Sequence, residues 1–132
     1  MTVVVDLELL AETYAVTRLD PSGPLPDWIH GPGLINVTQA ADETSILCQA
    51  DRVPDGVETS PDWVAIKVST KFEFDEAGVV LSVVRPLSEN GLGLFVISTF
   101  YRDYLLIQGK DLTAARNHLA KAGHRFVGDQ AD

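Results

Sequence analysis

A chain of 132 residues with 45% apolar and 22% charged residues can build one domain-sized core and is too apolar to remain disordered. Its 10 basic residues stand against 19 acidic ones, a formal net charge of −9. Such a chain repels a phosphate backbone, because nucleic-acid affinity comes largely from Lys and Arg displacing counterions, and an anionic membrane surface is disfavoured for the same reason.

The amino terminus carries Asp6 and Glu8 inside an apolar run and has no basic stretch before it, so it does not read as a secretory signal. Residues 14–19, 34–38 and 45–48 predict three short strands. Residues 24–30, rich in proline, allow no more than a turn or two, and 50–62 make a weak helix because Pro54, Gly56 and Pro61 interrupt them. Cys48 is the only cysteine, which excludes an internal disulfide and a cysteine metal cage and fits a reducing cytoplasm. The cluster of Gly, Pro, Ser, Thr and acidic residues over 55–62 marks a break.

The second half begins with a strand over 63–68, where Val64, Ile66 and Val68 share one face and Lys67 points away. A helix follows over 76–91, with Val80, Val83, Val84 and Leu87 inward, Pro86 disturbing the last turn and Asn90-Gly91 as the stop. Residues 94–100 and 104–108 read as two strands joined by 101–103, a hairpin. Asp111 is the expected N-cap of a second helix, with Leu112, Ala115, Leu119 and Ala122 inward and Gly123 after its end. Phe126 and Val127 close the pattern as a short strand. The longest apolar stretch, 92–100, is about half of what a helix needs to cross a bilayer.

The order strand, helix, strand, strand, helix, strand predicts an α+β, ferredoxin-like unit, two helices on one face of a four-stranded antiparallel sheet. The first half reads as a trimmed copy. A shift of sixty residues sets Val37 over Ile97, Thr38 over Ser98, Glu43 over Asp103 and Leu47 over Ile107. The expected division is a degenerate unit over 1–60 and a fuller one over 61–132.

Catalysis finds little support. His30, His118 and His124 carry no signature of a base or metal ligand, and Glu73, Asp75 and Glu76 alternate with Phe72 and Phe74 as a solvated strand end would. Gly91-Leu-Gly-Leu stands between a helix and a following strand, the reverse of the dinucleotide-binding order, and Cys48 reads as a small core hydrophobe. A noncatalytic protein without metal or cofactor is expected.

One constellation suits binding. The stretch from Phe74 through Gly78 to Val80 turns from strand to helix, where backbone N–H groups can receive a carboxylate and Gly78 permits close approach; equally, Gly78 can simply ease a tight turn. The hairpin Ser98-Thr-Phe-Tyr-Arg-Asp offers hydroxyls, a ring and the Asp103 carboxylate for an ammonium or guanidinium group, or is an ordinary polar tip. Together the two ends match what a free amino acid presents.

At these residues the second half resembles an ACT domain, the small amino-acid-binding regulatory module, through Asp75-Glu-Ala-Gly-Val-Val and the segment 94–107. The whole chain resembles a bacterial family of standalone tandem ACT proteins, through residues 14–20, Pro26-Asp-Trp, residues 42–48, Arg52-Val-Pro and residues 63–68. These are related to the eukaryotic cytosolic arginine sensors, which share the Ser-Thr-Phe-x-x-Asp hairpin. The resemblance implies a ligand held between ACT units, with Gly78, Val79 and Val80 giving backbone contacts and Ser98, Thr99, Phe100 and Asp103 lining the other side. The sensors carry four units and this chain two, so a complete set of such sites would need a homodimer. It further implies a cytoplasmic sensor that passes its state to an unidentified regulated protein, the alternative being a ligand-free structural or interaction module that has kept the fold.

Overall fold

The computed structural model describes residues 3–72 and 77–128. The chain folds as two compact units, residues 1–10 with 64–132, and residues 11–63. Residues 3–10 therefore group with the carboxy-terminal unit, whereas a division near residue 60 places them in the other.

The reason lies in strand β1 (Asp6–Leu19), eight residues longer at its start than its periodicity suggested. Val5 and Leu7 alternate with Asp6 and Glu8, which puts the apolar pair into the core and the acids at the surface. The Asp6 carbonyl accepts the Ser69 N–H at 2.8 Å, and Glu8 meets Lys67 at 3.3 Å on strand β4 (Glu58–Val68). In the carboxy-terminal unit β4 is followed by helix α1 (Val79–Ser88), strands β5 (Leu94–Ser98) and β6 (Asp103–Gln108), helix α2 (Leu112–Lys121) and strand β7 (Arg125–Phe126). The sheet order in this unit is β1-β4-β6-β5, and β7 pairs in parallel with β1 at Asp6 and Leu7. The unit has the expected β-α-β-β-α-β order, but the position beside β4 belongs to the amino-terminal strand rather than to β7.

The helices cover one sheet face. Val83, Leu87, Ala115 and Leu119 pack with Val5, Leu7, Ile66, Val68, Leu105 and Ile107. Each fully buried Leu or Ile there contributes about 1.5–3 kcal/mol. Both helices end alike: Leu92 N–H bonds Leu87 C=O and Gly91 N–H bonds Ser88 C=O, as His124 N–H bonds Leu119 and Gly123 N–H bonds Ala120. These paired bonds require a left-handed residue, supplied by Gly91 at φ 80° and Gly123 at φ 102°.

Pro86 lies inside α1 and has no N–H to give the Ser82 carbonyl one turn back. That carbonyl is met instead by His124 Nε2 at 2.7 Å, while His124 Nδ1 accepts the Val5 N–H at 3.2 Å. The two bonds together assign the Nε2–H tautomer to this buried ring.

In the unit of residues 11–63 the sheet order is β2-β3-β1-β4, with β2 (Asn36–Gln39) and β3 (Thr44–Gln49). Short 3-10 turns, Asp27–Ile29 and Ala50–Arg52, stand where the other unit has helices. Buried Tyr14 receives the Leu34 N–H on its hydroxyl at 3.0 Å. The expected break over 55–62 is shorter, because β4 already begins at Glu58.

The hairpins of the two units share their register at an offset of 59, Gln39 to Ser98 and Thr44 to Asp103. Each closes on four residues with a bond from the first N–H to the last C=O, Ala40 to Glu43 and Thr99 to Arg102, both 2.9 Å. The shift of sixty is one residue out, and in a strand one residue exchanges the two faces. Among the described residues no helix is long and apolar enough to cross a membrane.

Candidate functional site

Gly78, the N-cap of α1, adopts φ 87° and ψ −7°. A side chain added there would meet Val3 at an ordinary 3.5 Å, so glycine is required by the left-handed backbone rather than by space. The first bond within the helix runs from Ser82 N–H to Gly78 C=O, which leaves the N–H groups of Val79, Val80 and Leu81 without an acceptor inside the helix. Asp75 and Glu76, with Glu73 and Phe74, lie outside the described residues.

Of the four positions of α1 expected to face inward, Val83, Val84 and Leu87 pack on the core and Val80 does not. Val79, Val83 and Leu87 are the buried positions, and Val80 is 43% exposed. Helix α1 starts at Val79, and from that start a stripe at i, i+4 and i+8 faces the sheet. Val80 is thereby turned toward the β5–β6 hairpin.

The hairpin loop is residues 99–102, so Thr99 and Phe100 belong to the turn rather than to the strand. The Thr99 hydroxyl donates to the Arg102 carbonyl at 2.9 Å and accepts the Arg102 N–H at 3.4 Å. Ser98 Oγ donates to Asp103 Oδ1 at 2.6 Å, directly across the ladder. Phe100 and Tyr101 meet edge to face at 5.0 Å, and Lys71 Nζ stands 4.7 Å from the centre of the Tyr101 ring.

These groups surround one concavity of about 440 Å³, lined by Val79, Val80, Ser98, Thr99, Phe100 and Asp103 together with Phe72, Tyr101 and Arg102. Six of the seven residues singled out in the sequence thus come together. Gly78 does not: it lines a neighbouring hollow with Val3, Leu81, Ser82 and Arg85. Phe72, Tyr101 and Arg102 were not singled out. The last two stand within the hairpin string itself, and recognising a four-residue tip would have included them.

The concavity combines an apolar wall with hydroxyls, one carboxylate and one guanidinium, a set suited to holding a small zwitterion. The histidines stand elsewhere, His124 as a structural tie and His30 at an exposed loop position. Cys48 is fully buried, and burial pushes its thiol above the usual cysteine range.

Residues 58–121 match the family model of the ACT domain, and residues 12–56 match a second family described as an N-terminal domain. The crystal structure of an Agobacterium tumefaciens protein is 41% identical, with a TM-score of 0.92 over 98% of this chain and 96% of that one. A Vibrio cholerae protein of unknown function, described as a possible transport protein, gives 0.73 at 20% identity over 89% of both chains. The ligand-free regulatory subunit of aspartate kinase from Thermus thermophilus gives 0.62 at 12% identity, over 92% of this chain and 99% of that one, a likeness of fold. No curated protein matches.

Proposed function

We propose that this chain, whose residues 58–121 match the ACT domain, is a noncatalytic regulatory protein that binds a free amino acid in the concavity between α1 and the β5–β6 hairpin. One observation carries this reading: residues distant in sequence, Val79 and Val80 on the helix start and Ser98, Thr99, Phe100 and Asp103 on the hairpin, line a single hollow. Helix N–H groups suit a carboxylate, and Asp103 suits a cation. Gly78 acts by setting the left-handed entry to the helix. The kinship with regulatory subunits of aspartate kinase supports a regulatory role by fold alone.

The proposal includes a homodimer of two-unit chains acting in the cytoplasm on a separate regulated protein. Phe100 and Tyr101, 68% and 56% exposed at the rim of the concavity, offer apolar surface to a second chain. A ligand changes the binding of a partner only by as much as it prefers one conformation, typically about 1–3 kcal/mol.

A thermal-shift panel of the twenty amino acids, on protein unfolded and refolded to remove carried-over ligand, tests the reading. An amino acid at about a hundred times its dissociation constant stabilises the fold by about 2.7 kcal/mol, several degrees in a chain of this size. No shift with any of them at millimolar concentration would instead support a ligand-free interaction module.

A further inference from the structure

We infer that Arg102, together with the N–H groups at the start of α1, receives the carboxylate of the bound molecule and supplies its charge recognition, so that the concavity selects free α-amino acids over their amides; this rests on the amino-acid reading of the same hollow. Arg102 lines the concavity at the hairpin tip. Its main chain is committed, with the carbonyl accepting Thr99 N–H and Thr99 Oγ1 and the N–H directed to Thr99 Oγ1. Its side chain is not. Nε is shut off from solvent and has no hydrogen-bond partner, and among the described residues no ion pair engages the guanidinium. A desolvated donor without a partner is costly, and an incoming acceptor relieves that cost.

The neighbouring Asp103 already receives the Ser98 hydroxyl on Oδ1, which holds the carboxylate in place and leaves its remaining lone pairs for a ligand ammonium. Arg102 and Asp103 thus bring opposite charges to the lining of one concavity. An α-amino acid carries opposite charges of its own. Phe72, Val79, Val80 and Phe100 supply apolar surface for its side chain. Lys71, the other nearby cation, stands over the Tyr101 ring and does not line the hollow. A guanidinium also fits a carboxylate through two parallel bonds, which an ammonium cannot do.

The test is calorimetric titration of the full chain with each amino acid that shifts its melting point, and with the α-amide of the same amino acid. Wild type should bind the acid at least about tenfold more tightly than the amide, since a charge-assisted bond is at stake. Arg102→Gln should weaken the acid about tenfold to a hundredfold and leave the amide nearly unchanged, bringing the ratio toward one. Arg102→Lys should restore part of the preference. Equal losses for acid and amide, or an acid preference that survives Arg102→Gln, would overturn the assignment while the amino-acid reading stands. Failure of wild type to bind any of the twenty would overturn that reading and this inference with it.

Discussion

The tie between Pro86 and His124 yields a quantitative prediction. His124→Phe keeps a ring of similar size, so the cavity left behind is small, but it removes the bonds to Ser82 C=O at 2.7 Å and Val5 N–H at 3.2 Å. Two polar groups then lose their partners at a residue only 4% exposed. At about 1–3 kcal/mol for each unsatisfied group, the loss should be about 2–6 kcal/mol. The Ser82 carbonyl needs His124 because Pro86 has no N–H, so Pro86→Ala should supply the missing helical donor and lower the cost of His124→Phe by about 1 kcal/mol or more. Urea unfolding of wild type, both single variants and the double variant measures this as a change in midpoint at constant slope. A loss below about 1 kcal/mol for His124→Phe would refute the reasoning, as would strict additivity of the two substitutions.

Asp103→Ala should abolish amino-acid-induced stabilisation in the thermal-shift panel and move the unliganded midpoint little, since its bond to Ser98 is exposed. Gly78→Ala should cost about 1 kcal/mol in urea unfolding, because φ 87° strains an L residue, whereas Gly23→Ala, with no positive φ and only Asp20 O nearby at 3.8 Å, should be near neutral. Burial raises the Cys48 thiol, so the folded chain keeps that proton after the unfolded chain has lost it. The contribution of Cys48 is therefore full below the unfolded thiol value of about 8.5 and declines above it, and Cys48→Ala should flatten that part of a stability-against-pH curve. Iodoacetamide should alkylate Cys48 readily only once urea has unfolded the chain.

Most of the carboxy-terminal unit was legible because its signals are local. The alternation of Val64, Ile66 and Val68, the helix stops at Gly91 and Gly123, and the polar hairpin between two apolar runs each depend on a few neighbouring residues. What escaped depends on distant pairing. The strand at Asp6–Leu10 looks ambiguous with two acids in it, and its place beside β4 and β7 is decided by partners more than fifty residues away. In α1 only Val80 departs from the expected stripe, because consecutive valines, Val79-Val80 and Val83-Val84, satisfy two adjacent helical stripes, and only the start of the helix chooses between them. Likewise the hairpin offset of sixty matched residues by class, which short apolar strands do at more than one shift, while the hydrogen-bonded register allows only 59. The residues that line the concavity were readable as residue types at the helix entry and hairpin. Arg102 escaped since a side chain with no partner leaves no pattern in sequence.

The central claim, that this hollow receives an amino acid, is tested most directly by titrating isotopically labelled protein with each of the twenty amino acids and following backbone amide resonances. At least one of them should perturb a contiguous set around Val79, Val80, Ser98, Thr99, Arg102 and Asp103 and leave the hydrophobic core of Leu87 and Leu119 unmoved. The absence of any perturbation at millimolar ligand, or perturbations centred away from these six residues, would contradict it.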